Sequence, residues 1–214
     1  MQRIAVVDFG TGNLHSVGKA LERVAPKAAV GVTRDPRAID AADRVVLPGQ
    51  GAMGSWLAAM EQFALGDSVR GALGRVPVLG ICLGLQALLE RSDEDGGTSG
   101  LGVFAGDVPR FRAPTGGVER FKIPHMGWNR VRQVRDHPLW HGIADGSRFY
   151  FVHSYYARPR SAEDVAGETD YIVRFASAIA RDNIFAVQFH PEKSHAQGLK
   201  LLSNFVRWDC RRLQ

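Results

Sequence analysis

Short, unbroken apolar runs alternate with segments of helical periodicity through the first half of the chain, and few architectures accommodate that alternation. Ile4 to Val7 ends in Asp8-Phe-Gly-Thr-Gly-Asn13, after which Leu14, Val17, Leu21 and Val24 recur at helical spacing. Val30 to Val32 and Arg44-Val-Val-Leu47 are further strand candidates, the latter broken by Pro48-Gly49. Trp56 to Ala64 has helical period, and Val76-Pro-Val-Leu-Gly-Ile81 is a fourth buried strand running into Cys82. Strands separated by helices need crossover connections. The expected fold is therefore α/β: a three-layer, mainly parallel open sheet with helices on both faces, flavodoxin-like in outline.

Beyond residue 100 the texture changes. Val103-Phe104, Arg110-Phe-Arg112, Gly127-Trp-Asn-Arg-Val131 and Phe149-Tyr-Phe-Val152 are short and aromatic, with Gly and Pro between them, which suggests a small antiparallel β layer. Ile184 to Phe189 is another strand, and Leu199, Leu201, Leu202, Phe205 and Val206 form the apolar face of a closing helix. Asp93 to Gly100 is a polar loop, expected to be the most mobile segment of the first half. With 214 residues, 45% of them hydrophobic, residues 1–214 are expected to form one domain.

Formal charge is +5, but basic residues are scattered, the densest group being Arg207, Arg211 and Arg212. A solvated basic surface explains this as well as an acidic partner does. The two cysteines, Cys82 and Cys210, are too few for a disulfide framework or a cysteine metal cluster. No apolar stretch is long enough to span a membrane, so a soluble cytoplasmic protein is expected.

Gly80-Ile-Cys-Leu-Gly84 places a cysteine where an apolar strand gives way to a helical pattern of Leu85, Leu88 and Leu89. A sharp strand-to-helix turn exposes its central residue in strained geometry, and small residues two places either side let strand and helix pass closely. The helix N-terminus would favour negative charge on sulphur, and the Leu83 amide could donate to an oxyanion. Alone, this pattern suits a buried structural cysteine equally well. Asn183-Ile-Phe-Ala-Val-Gln-Phe-His190-Pro-Glu192 decides between them. A cysteine nucleophile needs a base, and the base needs a third group to orient it; His190 and Glu192 supply both. In a parallel sheet the C-terminal strand ends share one rim, so Cys82 and His190 can meet across the intervening chain.

Through Pro48-Gly-Gln-Gly51, Gly80-Ile-Cys-Leu-Gly-Leu-Gln86 and Gln188-Phe-His-Pro-Glu192 the chain resembles the class I, or triad, glutamine amidotransferases over nearly its full length. Asp8-Phe-Gly-Thr-Gly-Asn-Leu14 and Lys122-Ile-Pro-His-Met-Gly-Trp-Asn129 further resemble the glutaminase subunits of imidazole glycerol phosphate synthases. The resemblance implies glutamine hydrolysis through a thioester on Cys82, with ammonia passing to a separate TIM-barrel cyclase subunit in a heterodimer. The cyclase would form imidazole glycerol phosphate and the aminoimidazole carboxamide ribonucleotide of histidine biosynthesis. No barrel-length sequence remains here, so the cyclase is expected on another chain.

By motif position the resemblance assigns Gln50 and Gly51 with Leu83 to the oxyanion hole, and Gln86, Glu94, Ser154 and Tyr155 to the glutamine pocket. Gln50 stands where the family often has valine, so its amide should matter more than its side chain. Asn13, Trp128, Tyr150 and Lys193 correspond to positions facing the cyclase and the ammonia path; without the resemblance, packing for the aromatics and solvation for Lys193 would be the preferred reading. No cofactor, metal, nucleic acid or membrane is implied.

Three other signals carry less. Gly49-Gln-Gly-Ala-Met-Gly54 matches a dinucleotide fingerprint, but it does not follow the first strand and Asp67 does not close a second one. His137 and His141 lack a helix or a carboxylate to complete a zinc set, and the aromatics from Phe149 to Tyr156, near Arg148, Arg158 and Arg160, read as core rather than a stacking platform. A cysteine peptidase or a glutaminase serving pyridoxal phosphate or anthranilate synthesis would not explain Pro124 to Asn129. An inactive regulatory subunit would be expected to lack a triad member, and none is missing.

Overall fold

The computed structural model describes residues 1–10, 12–112 and 121–210, so Arg211 and Arg212 lie outside the described residues. The first half runs β1 (Arg3–Val7), α1 (Leu14–Val24), β2 (Ala29–Thr33), α2 (Pro36–Asp40), β3 (Arg44–Gly49), α3 (Met53–Gln62), α4 (Gly66–Leu73), β4 (Val78–Cys82), α5 (Leu83–Gln86) and β5 (Leu89–Ser92). The remainder is mostly strand: β6 (Thr98–Ser99), β7 (Phe104–Val108), β8 (His125–Arg130), β9 (Arg132–Gln133), β10 (Arg148–His153) and β11 (Arg158–Pro159). β12 (Val165–Asp170), β13 (Arg174–Arg181), β14 (Ile184–Val187) and α6 (His195–Arg207) follow.

One sheet of eight strands, in the order β2-β1-β3-β4-β14-β13-β12-β9, organises the molecule. Its pairings from β2 to β14 are parallel; those from β14 to β9 are antiparallel. Successive strand side chains point to opposite faces. Val7, Val45, Leu47, Val78 and Ala186 therefore enter one core with Ile39, Met53, Trp56 and Val69 from α2, α3 and α4. Val6, Val46, Leu79, Ile81 and Val187 enter the other with Val17 and Leu21 of α1 and Leu201, Leu202 and Phe205 of α6. Burial on both faces is why the parallel strands read as unbroken apolar runs.

The antiparallel material is richer than expected. Besides the β8–β10 pair there is a four-stranded sheet, β11-β7-β5-β6, in which β5 and β7 run parallel. The polar segment expected to be a free loop contains β6, which closes a hairpin on β5.

Two boundaries differ from the sequence reading for physical reasons. β3 is not broken at Pro48: Pro48 pairs with Ile81 and Gly49 with Cys82. Past Val46 the strand has β4 as its one sheet neighbour, so a residue without an N–H is tolerated there. The helix after Cys82 is a single turn. Leu101 N donates to Ala87 O and Phe104 N to Leu88 O, so long-range partners take over backbone groups that a longer helix would have used. The dipole argument for the thiol weakens accordingly, since few peptide units align.

Candidate active site

Cys82 sits at the C-terminal end of β4 with φ 55°, a region that a side chain occupies at a cost of about 1–3 kcal/mol. The flanking glycines make that turn possible. A Cβ at Gly84 would lie 1.8 Å from Leu47 O, and one at Gly80 would lie 2.8 Å from the Ala186 Cβ. The strain therefore comes from forcing strand and helix together, and it leaves the thiol at the rim of the sheet.

His190 follows the end of β14, the strand beside β4, and its backbone N–H donates to Tyr150 O at 2.9 Å. Pro191 starts a short 3-10 turn that brings Glu192 back, with Nδ1 of His190 2.8 Å from Glu192 Oε1. The two side chains are 6% and 1% exposed. A carboxylate only accepts, so Nδ1 carries a proton, and Nε2 is the nitrogen left to exchange a proton with Cys82. Among the described residues Nε2 is buried without a hydrogen-bond partner of acceptable geometry. Burial disfavours imidazolium, but the Cys82 sulphur, and after it Glu192, outweigh burial and raise the pKa of His190.

These groups open on a cleft of about 310 Å³ lined by Gln50, Gly51, Cys82, Leu83, Gln86, Glu94, Pro124, Val152, His153, Ser154, Tyr155 and His190. Every residue expected at the oxyanion hole or the glutamine pocket is among them. Gly51 adopts φ 88°, and Trp56 Nε1 anchors the strand behind it by donating to Pro48 O at 3.0 Å. Gln86 donates through Nε2 to Tyr155 O at 3.0 Å and to Gln188 Oε1 at 3.1 Å. Glu94 accepts from Met53 N at 2.7 Å, at the start of α3, and burial pushes its pKa up.

Of the four residues expected at a partner face, three gather. The Tyr150 ring lies 6.1 Å from Trp128 and 5.9 Å from Lys193 Nζ, and His195 stacks on Trp128 at 4.9 Å. Asn13 has a local role as the N-cap of α1, accepting from Ser16 N at 3.4 Å. Asp67 lies in the first turn of α4, away from any strand end, which agrees with setting the dinucleotide pattern aside. His137 accepts from Leu139 N and packs on Phe185 and Trp208.

Four residues escaped the sequence reading. Gln188 is fully buried, with Nε2 3.6 Å from Cys82 Sγ. Ser194 accepts from Tyr150 N and donates to His190 O. His125 and His153 form a buried pair at 2.9 Å, with His153 itself lining the cleft. Gln188 was detectable: it is a polar residue inside the apolar run from Ile184 to Phe189, two places before His190. Nothing local marks Ser194.

A thiol on a strained strand end beside a histidine–carboxylate pair in a largely parallel sheet is what a triad amidotransferase requires. The chain belongs to the class I glutamine amidotransferase family, whose model matches residues 5–208. Within that family it is similar to the imidazole glycerol phosphate synthase subunit HisH of Nitrosospira multiformis, 55% identical over 97% of this chain and 99% of that protein. HisH of Methylococcus capsulatus is also 55% identical, over 98% of each chain. The fold is shared with a glutamine amidotransferase of known crystal structure, at TM-score 0.70 and 17% identity over 95% of this chain and 97% of that one.

Proposed function

We propose that this chain is the glutaminase subunit of an imidazole glycerol phosphate synthase, acting as one domain in the cytoplasm with a separate cyclase subunit. The observation that carries the reading is the pairing of His190 with Glu192 at 2.8 Å, which leaves the unpartnered Nε2 turned to the Cys82 side of the cleft.

In this reading, Gln86, Glu94, Ser154 and Tyr155 hold glutamine with its carboxamide over Cys82. The Cys82 thiol passes its proton to His190 Nε2, the sulphur attacks the carboxamide carbon, and the electron pair moves to oxygen, which the amides of Leu83 and the Gln50–Gly51 strand stabilise. His190 gives its proton to the departing nitrogen, releasing ammonia and leaving a thioester. Water, deprotonated by His190, then releases glutamate. Glu192 holds the ring in the tautomer that both transfers need.

Exposed Met126 and Trp128, with Tyr150 and Lys193, suit a docking face for the cyclase. Replacing Cys82 with alanine should abolish glutamine-dependent synthesis by the two-chain complex while synthesis from added ammonia continues. Retained glutamine-dependent turnover would overturn the assignment.

A further inference from the structure

Gln188 has no task in the chemistry above, yet its amide is fully buried at the centre of the site. Its orientation follows from a carbonyl two contacts away. Tyr155 O can only accept, and it receives both His153 Nδ1 at 2.8 Å and Gln86 Nε2 at 3.0 Å. Gln86 therefore presents nitrogen on this side, and that nitrogen lies 3.1 Å from the Gln188 side chain. A flipped Gln188 would set donor against donor. Its oxygen must face Gln86, so its nitrogen faces Cys82 Sγ at 3.6 Å, within range for a bulky sulphur acceptor.

We propose that the side-chain amide of Gln188 is a catalytic hydrogen-bond donor to the Cys82 sulphur, holding it as thiolate beside His190 and aligning it with the substrate-lining Gln86. This rests on reading Cys82 as the nucleophile. The donor transfers no proton. It stabilises charge on sulphur before attack, loses that interaction as the C–S bond forms and the electron pair moves to the carboxamide oxygen, and regains it when hydrolysis frees the thiolate. Two opposite groups then bear on the sulphur: His190 by charge and Gln188 by a directed N–H. Gln86 joins this arrangement to the cleft, so the group that lines the substrate pocket also fixes the group that holds the nucleophile.

The test is alkylation of Cys82 by iodoacetamide across pH in a Cys210→Ser background, which removes the second of the two thiols. Gln188→Met keeps side-chain length without a donor. Gln188→Glu keeps the acceptor for Gln86 and puts oxygen where the donor was. Both should alkylate about tenfold more slowly than the parent at pH ~6 and converge with it at high pH. Packing loss alone would not produce that pH-dependent difference. Parent-like alkylation at every pH in whichever variant folds, as judged by thermal unfolding, overturns the proposal. His190→Asn separates it from the triad reading: if that variant alkylates like the parent while the Gln188 variants are slowed, the triad fails and the donor stands.

Discussion

Adding one methyl group at Gly84 tests the geometry of the nucleophile turn directly. The new Cβ would lie 1.8 Å from Leu47 O and 2.9 Å from Leu47 C. Carbon and oxygen normally approach no closer than about 3.3 Å, so β3 and α5 must part by roughly 1.5 Å. Both walls are backbone, and no rotamer change relieves the clash. Overpacking of this kind costs about 3 kcal/mol or more, at the upper end of its usual range, which lowers Tm by roughly 6–12 °C for a chain of this size. The same movement separates the Leu83 amide from the Gln50–Gly51 strand. An ångström of misplacement in a reacting constellation is worth roughly a hundredfold in rate, so kcat should fall by about that factor even well below Tm. Gly71 is the internal control: it lies in α4, exposed, with nothing within 4 Å of its added Cβ. Gly71→Ala should therefore stabilise by about 0.5–1 kcal/mol through helix propensity alone. Calorimetric unfolding of both variants, with glutaminase assays in the complex, gives the answer. A Gly84→Ala protein as stable and active as the parent would refute the close-approach argument, and a destabilised Gly71→Ala would refute the propensity argument.

Ser194→Ala should leave the Tyr150 N–H without its side-chain partner and remove one donor from His190 O, at a cost of about 1–3 kcal/mol. Glutaminase kcat should drop more than KM rises, because the cleft wall stays and the base loses support; an unchanged kcat would show that the turn holds itself. Burial lowers the pKa of His125 to about 4 and of His153 to about 3, so both are neutral in the folded protein, whereas unfolding restores values near 6.5. The unfolded chain then binds the extra protons. Stability is full above pH ~6.5 and falls as pH drops from there toward ~4, by ~1.4 kcal/mol per pH unit per net proton, the two rings titrating as a coupled pair. Urea titrations at pH ~7 and ~5 should show a steeper loss in the parent than in a His125→Gln, His153→Gln double variant, and equal slopes would refute the neutral-pair assignment.

The sequence made the parallel half of the fold legible because its strands are buried on both faces and its helices are not. Unbroken runs such as Val76 to Ile81 beside the period of Leu14 to Val24 leave little ambiguity. β12 and β13 escaped because Val165 to Arg181 mixes Gly, Glu, Thr and Asp with small apolar residues, although each pairs through a tight turn with its neighbour in sequence, Asp170 with Arg174 and Arg181 with Ile184. The brevity of α5 was hidden because Leu88 and Leu89 keep helical spacing while their backbone groups serve Phe104 and Gly102, distant in the chain. The candidate triad was legible because its members must be of particular types near particular strand ends. Ser194 is visible only through what it touches, and Gln188, a polar residue in an apolar run, becomes meaningful when its nitrogen is 3.6 Å from sulphur.

The contacts of β10 tie the surface to the base more closely than sequence separation suggests. The Tyr150 ring faces Trp128 and Lys193 at the exposed edge. Its carbonyl accepts from His190 N, its N–H donates to Ser194 Oγ, and Ser194 Oγ in turn donates to His190 O, closing a loop of hydrogen bonds around the base. Two residues further along the same strand, Val152 and His153 line the cleft. Pressure on the Trp128–Tyr150–Lys193 face is therefore pressure on the backbone that carries both the base and one wall of the substrate pocket. A partner docking there would need no long relay to be felt at Cys82, because closely packed backbone transmits a displacement instead of absorbing it. By the same reasoning, coupling to the proposed cyclase partner should survive loss of the Lys193 charge better than loss of Ser194, since the charge acts at the surface and the serine joins the surface strand to His190.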